Sequence, residues 1–233
     1  MKYGIISDIH SNLEALEKTL ELINKAHVDE IICLGDIVGY GANPNECVEI
    51  IKRQCSVVLL GNHDAAVADT STMKRFNPMA QKAIMWTLEC ISVDNKKFLS
   101  ELPYTYSANN LLFVHASPSH PEQWKYIISE ETAIDELQQF SEKICFVGHS
   151  HAPGIYGHLG KMLTINIKDR FIINVGSVGQ PRDGNPMLSF GLFDTDKWEY
   201  QHIRSEYDFE KASEKIAIAG LPAELGLRLI HGI

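Results

Sequence analysis

Several apolar runs in this chain stop abruptly on side chains able to coordinate a cation, and this repeated arrangement constrains the fold more than any other feature. Val57 to Leu60 reads as a strand buried on both faces, yet it ends at Gly61 and delivers Asn62, His63 and Asp64 in succession. A first run ends in Ser7-Asp8-Ile9-His10, a second in Gly35-Asp36, a later one in Val114-His115 and another in Gly148-His149-Ser150-His151. In an open α/β fold ligands bind at the carboxyl ends of strands, because side chains converge there in a crevice that no helix covers. Five strand tips are therefore expected to point at one place.

The residue types suit a pair of metal ions. Asp8 and His10 are two apart, as are His149 and His151, so in extended backbone each pair would project to one side and chelate a common centre. Mixed His, Asp and Asn ligation favours Mn, Fe, Zn or Co over Ca and Mg, which prefer oxygen shells. Glycine before the polar residue, at Gly35, Gly61 and Gly148, lets the backbone turn toward the site with no Cβ in the way.

Strand and helix patterns alternate through the first half of the chain, as in α/β proteins with parallel strands. Tyr3 to Ser7 reads as a strand, followed by a helix with Ser11 and Glu14 in capping-box spacing. Ile31 to Leu34 is a second strand, and a helix over Asn45 to Arg53 follows Asn43 as N-cap and Pro44 at N1. Met79, Ala83, Trp86 and Cys90 are spaced as the buried stripe of another helix. Tyr104 to Ser107 and Leu111 to His115 flank the turn residues Asn109 and Asn110, and a helix from Glu130 to Phe140 precedes a strand at Ile144 to Val147. Leu163 to Ile167, Phe171 to Val175, Leu188 to Phe193 and Trp198 to Ile203 read as an antiparallel meander, and the last thirty residues as helical. The 233 residues fit one domain, 1–233.

Composition narrows the partners. The formal charge is -9 and no stretch gathers Lys or Arg into a stripe, so long nucleic acid is not an expected partner, whereas a small nucleotide is compatible. The 5 cysteines lack a CxxC pair and read as reduced core thiols of a cytoplasmic protein. No run has the length of a membrane span, and the apolar patch before Asp8 is too short for a signal-peptide core.

The ordered blocks "SDIH", "LGDIVG", "LLGNHD", "FVHASP" and "VGHSH" resemble the calcineurin-like metallophosphoesterase superfamily, in its small prokaryotic phosphodiesterase and phosphatase branch. The resemblance implies an αββα sandwich of two mixed β-sheets flanked by helices. It also implies two divalent metal ions, Mn foremost with Fe, Zn, Ni or Co as alternatives. Asp8, His10, Asp36 and His151 would hold one ion, and Asp36, Asn62, His115 and His149 the other, with Asp36 as the bridge. The implied reaction is hydrolysis of a small phosphate ester, with phosphodiesters preferred, by attack of a metal-bridging hydroxide while His63 acts as general acid. A phosphomonoesterase or nucleotide phosphatase of the same fold, or a non-catalytic metal-binding scaffold, are the alternatives. Relatives acting on phosphoproteins or diadenosine tetraphosphate carry an arginine after G-D-x-V; this chain reads Gly35-Asp36-Ile37-Val38-Gly39-Tyr40-Gly41, with none.

Other candidates rest on the residues themselves. Asp64 is a candidate catalytic partner that would orient His63, although adjacent residues of an extended chain face opposite ways. The segment at 174–184 is glycine-rich and follows an apolar strand, so it would line the pocket and bring Arg182 to a substrate phosphate; the alternative is an ordinary turn. Trp124 and Tyr126 would either stack on a nucleobase or cover the core. His27, His120, His158, His202 and His231 read as ordinary histidines, with His120 the nearest to a rim position.

Overall fold

The structure is a computed structural model describing residues 1–233. It opens with β1 (Lys2–Ile6), α1 (Leu13–Lys25), β2 (Glu30–Cys33), α2 (Pro44–Gln54), β3 (Val57–Val58) and α3 (Asn62–Ala68). Then come α4 (Pro78–Cys90), α5 (Val93–Ser100), β4 (Thr105–Ala108), β5 (Leu111–Val114), α6 (Glu130–Glu136) and β6 (Ile144–Val147). The chain ends with β7 (Gly154–Gly157), β8 (Gly160–Met162), β9 (Phe171–Asn174), β10 (Leu188–Asp194), β11 (Glu199–Ser205), α7 (Phe209–Ile218) and α8 (Ala223–His231).

Two mixed sheets form, in the orders β11-β10-β1-β2-β3 and β4-β5-β6-β9-β7-β8. β1, β2 and β3 run parallel in the first, and β5, β6 and β9 in the second. Tyr3, Ile5 and Phe193 of one sheet meet Phe113, Phe146 and Ile173 of the other in a single buried cluster. Full burial of each such side chain contributes about 1.5–3 kcal/mol, so this seam fixes how the parallel strands of the two sheets stand toward each other. The outer face of the first sheet is covered by most of the helices, with Leu16, Val48, Ile84 and Leu225 among the residues packed there. The outer face of the second carries α6, through Ala133, with Leu137 just beyond it. The layering is the expected αββα sandwich.

Several expected elements shift. Only Val57 and Val58 pair as β3, and they are half-buried because the strand lies at the edge of its sheet; Leu59 and Leu60 carry the burial. Asn12, not Ser11, caps α1: its side chain accepts from Ala15 N at 3.2 Å, whereas Ser11 has left-handed backbone (φ 54) and a buried hydroxyl without a partner. On α4 the buried positions are Ala80, Ala83, Ile84 and Thr87, so Cys90 is exposed rather than a core filler.

The antiparallel meander is broken up. No strand forms at 163–167; the β7–β8 hairpin precedes it, β9 runs parallel to β6, and β10 and β11 join the other sheet. By contrast β4 and β5 form the expected hairpin, with Asn109 (φ 51) and Asn110 (φ 63) both in the left-handed conformation that a two-residue turn of this twist requires. The C-terminal residues are helical, and no helix is long and apolar enough to cross a membrane.

Candidate metal centre

The parallel strands β1, β2 and β6 hand their chain to the site by an unusual backbone. Asp8 (φ 54), His10 (φ 49), Asp36 (φ 53), His149 (φ 63) and His151 (φ 59) are all left-handed, a conformation that costs a residue with a Cβ about 1–2 kcal/mol. Strain of this kind persists only where surrounding structure enforces it, and it marks functional sites. Here backbone bonds enforce it: Asp8 N donates to Gly35 O at 3.0 Å, His10 N to Asp36 O at 3.0 Å and Gly179 N to Asp8 O at 2.9 Å. The glycines serve close approach. A Cβ on Gly61 would overlap the Asp36 backbone nitrogen and carboxylate, and one on Gly148 would overlap Ser7 Oγ and lie 2.5 Å from Asp8 Oδ2.

The left-handed turns also alter the spacing expectation. Asp8 and His10 do converge, with His10 Nε2 at 3.9 Å from Asp8 Oδ1, but not through extended chain. His149 and His151 separate into different groups: His151 lies with Asp8 and His10, and His149 with Asp36 and His115. Left-handed backbone at both residues breaks the two-residue alternation on which a shared centre depended.

Within the first group the hydrogen bonds fix the tautomers. His10 Nδ1 lies 3.1 Å from Val38 O, and His151 Nδ1 bonds Gln180 O, so each ring places its proton on Nδ1. Burial holds both rings neutral, reinforced at His10 by His151 and at His151 by Arg182. The two Nε2 atoms, both lone pairs, therefore face one another at 3.1 Å. Asp8 Oδ1 lies 3.2 Å from His151 Nε2 and has no hydrogen-bond partner, while Asp36 Oδ2 lies 3.7 Å from His10 Nε2. None of these four converging atoms is a donor to another, an arrangement that fits a cation.

Asp36 faces both groups. Its Oδ1 accepts from His63 N at 2.8 Å, and its Oδ2 lies 3.4 Å from His115 Nε2. Asn62 Oδ1 lies 3.3 Å from the same His115 nitrogen. His149 Nε2 donates to Trp124 O at 3.0 Å, which leaves Nδ1 as its acceptor. Burial opposes a proton on His115, but Asp36 and Asp8 outweigh it and push this ring up to about 9, a measure of the negative charge gathered here.

His63 sits beside these groups at the mouth of a cleft. Its ring lies 4.7 Å from that of Phe76, tilted by 38°, and 4.5 Å from Tyr40 and 4.8 Å from His10. Its Nδ1 has no partner, and burial lowers its pKa to about 4. Asp64 does not bond this ring: its carboxylate accepts from Ile37 N at 2.9 Å, Val38 N at 3.2 Å and Gly61 N at 3.1 Å, which ties the β2 loop to the start of α3. Burial and then the Asp36 charge push Asp64 up to about 7.

The glycine-rich segment pairs with the chain just beyond β1, where Ser177 Oγ donates to Asp8 O at 2.8 Å. Arg182 from this segment stands over the Tyr40 ring at 5.6 Å. Val38, Gln180 and Trp124 contribute through carbonyls that hold site histidines, and a backbone acceptor leaves no mark in residue type. Tyr40 was legible only as the residue standing where relatives carry arginine. His120 is exposed beside Glu122 and joins no group of site ligands.

Comparison with known proteins places this geometry in context. The family model described as "Calcineurin-like phosphoesterase superfamily domain" matches residues 1–198. The chain is 42% identical over 239 residues to the uncharacterised protein MJ0912 of Methanocaldococcus jannaschii, covering 98% of this chain and 97% of that one. It is 26% identical over 209 residues to the phosphodiesterase YfcE of Escherichia coli K12, covering 84% of this chain and 89% of the relative. Among solved structures, a metallophosphoesterase from Sphaerobacter thermophilus superposes with a TM-score of 0.90 at 36% identity, covering 100% of this chain and 99% of that one.

Proposed function

The chain belongs to the calcineurin-like phosphoesterase superfamily, and from that premise we propose that it is a dinuclear metal-dependent phosphoesterase that hydrolyses phosphodiesters in preference to monoesters. The observation that carries this reading is the convergence of Asp8 Oδ1, His10 Nε2, His151 Nε2 and Asp36 Oδ2 without a donor among them. Asp8, His10, Asp36 and His151 would hold one divalent ion, and Asp36, Asn62, His115 and His149 a second, Mn suiting this donor set. Bound there, such ions supply charge neutralisation at phosphate oxygens and a water whose pKa falls from 15.7 to about 7.

The chain's own residues do the rest. His63 lies beside both groups and would give a proton to the departing ester oxygen once an anionic substrate, by favouring the charged ring, offsets the burial that lowers its pKa to about 4. Arg182, held by Gln180, offers a fixed cation to a phosphate oxygen, and it enters from the glycine-rich segment although the β2 loop lacks an arginine. Asp64 acts through the backbone it anchors and is a positioning residue. The diester preference is supported by the absence of that loop arginine and by the similarity to YfcE, itself named a phosphodiesterase.

Steady-state rates on a nitrophenyl phosphodiester and the corresponding monoester, with Mn, Ni, Co and Zn in turn, test the reading. A higher kcat/KM on the diester supports it. Faster turnover of the monoester overturns the preference, and a metal-loaded but inert protein overturns the enzyme and favours a scaffold.

A further inference from the structure

Beside the site lies a cleft whose walls are aromatic and whose rim is polar. One wall is Phe76, which follows the short 3-10 turn Thr70–Arg75 and packs against the His63 ring at 4.7 Å, tilted by 38°. The other is formed by Trp124 and Tyr126, from the irregular stretch between β5 and α6. Both walls are tied to site histidines: Tyr126 lies flat on His149, with ring centroids 4.0 Å apart and planes at 21°, and the Trp124 carbonyl accepts from His149 Nε2. The Trp124 backbone is left-handed (φ 55), so its carbonyl bond to His149 accompanies a conformation this residue adopts only at a cost. Tyr126 is nevertheless 50% exposed, far more than its role as a cover for the core would need.

Arg75, Asn77 and Gln123 stand at the rim of the cleft, all exposed. Aromatic walls alone would suit any flat apolar group. A rim of amides and a guanidinium adds donors and acceptors at the edge of a flat group, which is the chemistry that a heteroaromatic base presents and a plain aryl ring does not. Arg75 also places a cation near an anionic substrate on a chain whose formal charge is -9.

We propose that this cleft is a nucleobase subsite, so that the ester cleaved carries a nucleoside on its leaving side. The inference rests on the phosphoesterase reading and names its substrate class. Hydrolysis then breaks the P–O bond to the nucleoside oxygen and forms one to the oxygen of water; the nucleoside oxygen departs with a proton from His63, which regains one from that water. The cleft adjoins His63, which puts the base on the side of the departing oxygen.

Calorimetric titration of the metal-loaded full chain with AMP and with ribose 5-phosphate, two ligands differing only in the base, reads this without any turnover. Stacking of one base is worth a factor of about ten or more in affinity, so AMP should bind at least about tenfold more tightly. Trp124→Ala and Phe76→Ala should each reduce that advantage while ribose 5-phosphate binds as before, and Trp124→Phe should restore part of it. Equal affinities for the two ligands, or an undiminished advantage in both alanine variants, would overturn the subsite. Absent hydrolysis of the nitrophenyl phosphodiester with the AMP advantage intact would instead overturn the phosphoesterase reading and leave a nucleotide-binding cleft.

Discussion

The Gln180 side-chain oxygen accepts two N–H bonds from the Arg182 guanidinium, 3.2 Å from Nε and 2.8 Å from Nη2. Gln180 is buried, at 1% exposure, and its backbone carbonyl holds His151 at the same time. One residue therefore fixes both a metal-group histidine and a candidate phosphate-binding cation. Hydrogen bonds to charged groups contribute about 1.5–3 kcal/mol, so Gln180→Leu should release Arg182 and raise KM by about tenfold with a smaller effect on kcat. Gln180→Glu keeps the acceptor and should restore most of the affinity. Equal loss of KM and kcat in both variants would assign Gln180 to folding alone.

His63→Ala should lower turnover by about 10² to 10⁴ while metal content stays near that of the parent chain. The alternative is visible in the structure, since His63 also groups with His10 and Asp36 within reach of a shared cation. Elemental analysis of the purified variant separates the two, because loss of an ion would make His63 a ligand and remove the proton-donor role.

Asp64 is expected to matter for stability rather than chemistry. Its carboxylate serves the buried amides of Ile37, Val38 and Gly61, and a buried donor left without a partner costs about 1–3 kcal/mol. Asp64→Ala should therefore lower the denaturant midpoint markedly, while the folded, metal-loaded fraction retains kcat within about tenfold. A fall in kcat of about 10² or more at unchanged stability would restore the catalytic role suggested by its place next to His63.

Glu14 ties α7 to α1, through Lys215 Nζ at 2.6 Å and Lys211 Nζ at 3.2 Å. Burial alone would raise the Glu14 carboxyl, but the two lysines outweigh it and hold its pKa below the ordinary 4.5. A carboxylate depressed in the folded state contributes stability in full above its unfolded pKa, and that contribution is lost as pH falls through the lower folded value. Glu14→Gln should therefore lower Tm at neutral pH, with the gap to the parent chain closing below about pH 4. A gap that stays constant across that range would mean that the ion pairs contribute nothing.

Much of the site was legible because metal-type side chains are rare at strand ends and these recur in order. Asp8, Asp36, Asn62, His115 and His149 each follow an apolar run, and tertiary structure needed only to bring parallel strand tips together. What residue type could not carry was backbone conformation. The left-handed turns at His149 and His151 send neighbours of identical chemistry to different groups, and the carbonyls of Val38, Gln180 and Trp124 act without regard to their side chains. The same holds for the fold: Asn109-Asn110 announced its hairpin, since few residues tolerate that turn, whereas Phe171 to Asn174 reads alike as a parallel or an antiparallel strand. Ser11 satisfied a capping pattern by spacing, but its neighbour Asn12 reaches the helix amide because Ser11 is held in the loop against Ile37 O.

Everything turns on whether the facing acceptors of Asp8, His10, Asp36 and His151 exist to hold a cation. Elemental analysis of the Mn-reconstituted chain, repeated on Asp36→Asn, measures this directly. The account predicts about two ions per chain, with the loss of Asp36 weakening retention of both because its carboxylate faces both groups. A parent chain that retains no ion, or an Asp36→Asn variant that binds both as tightly as the parent, would contradict it.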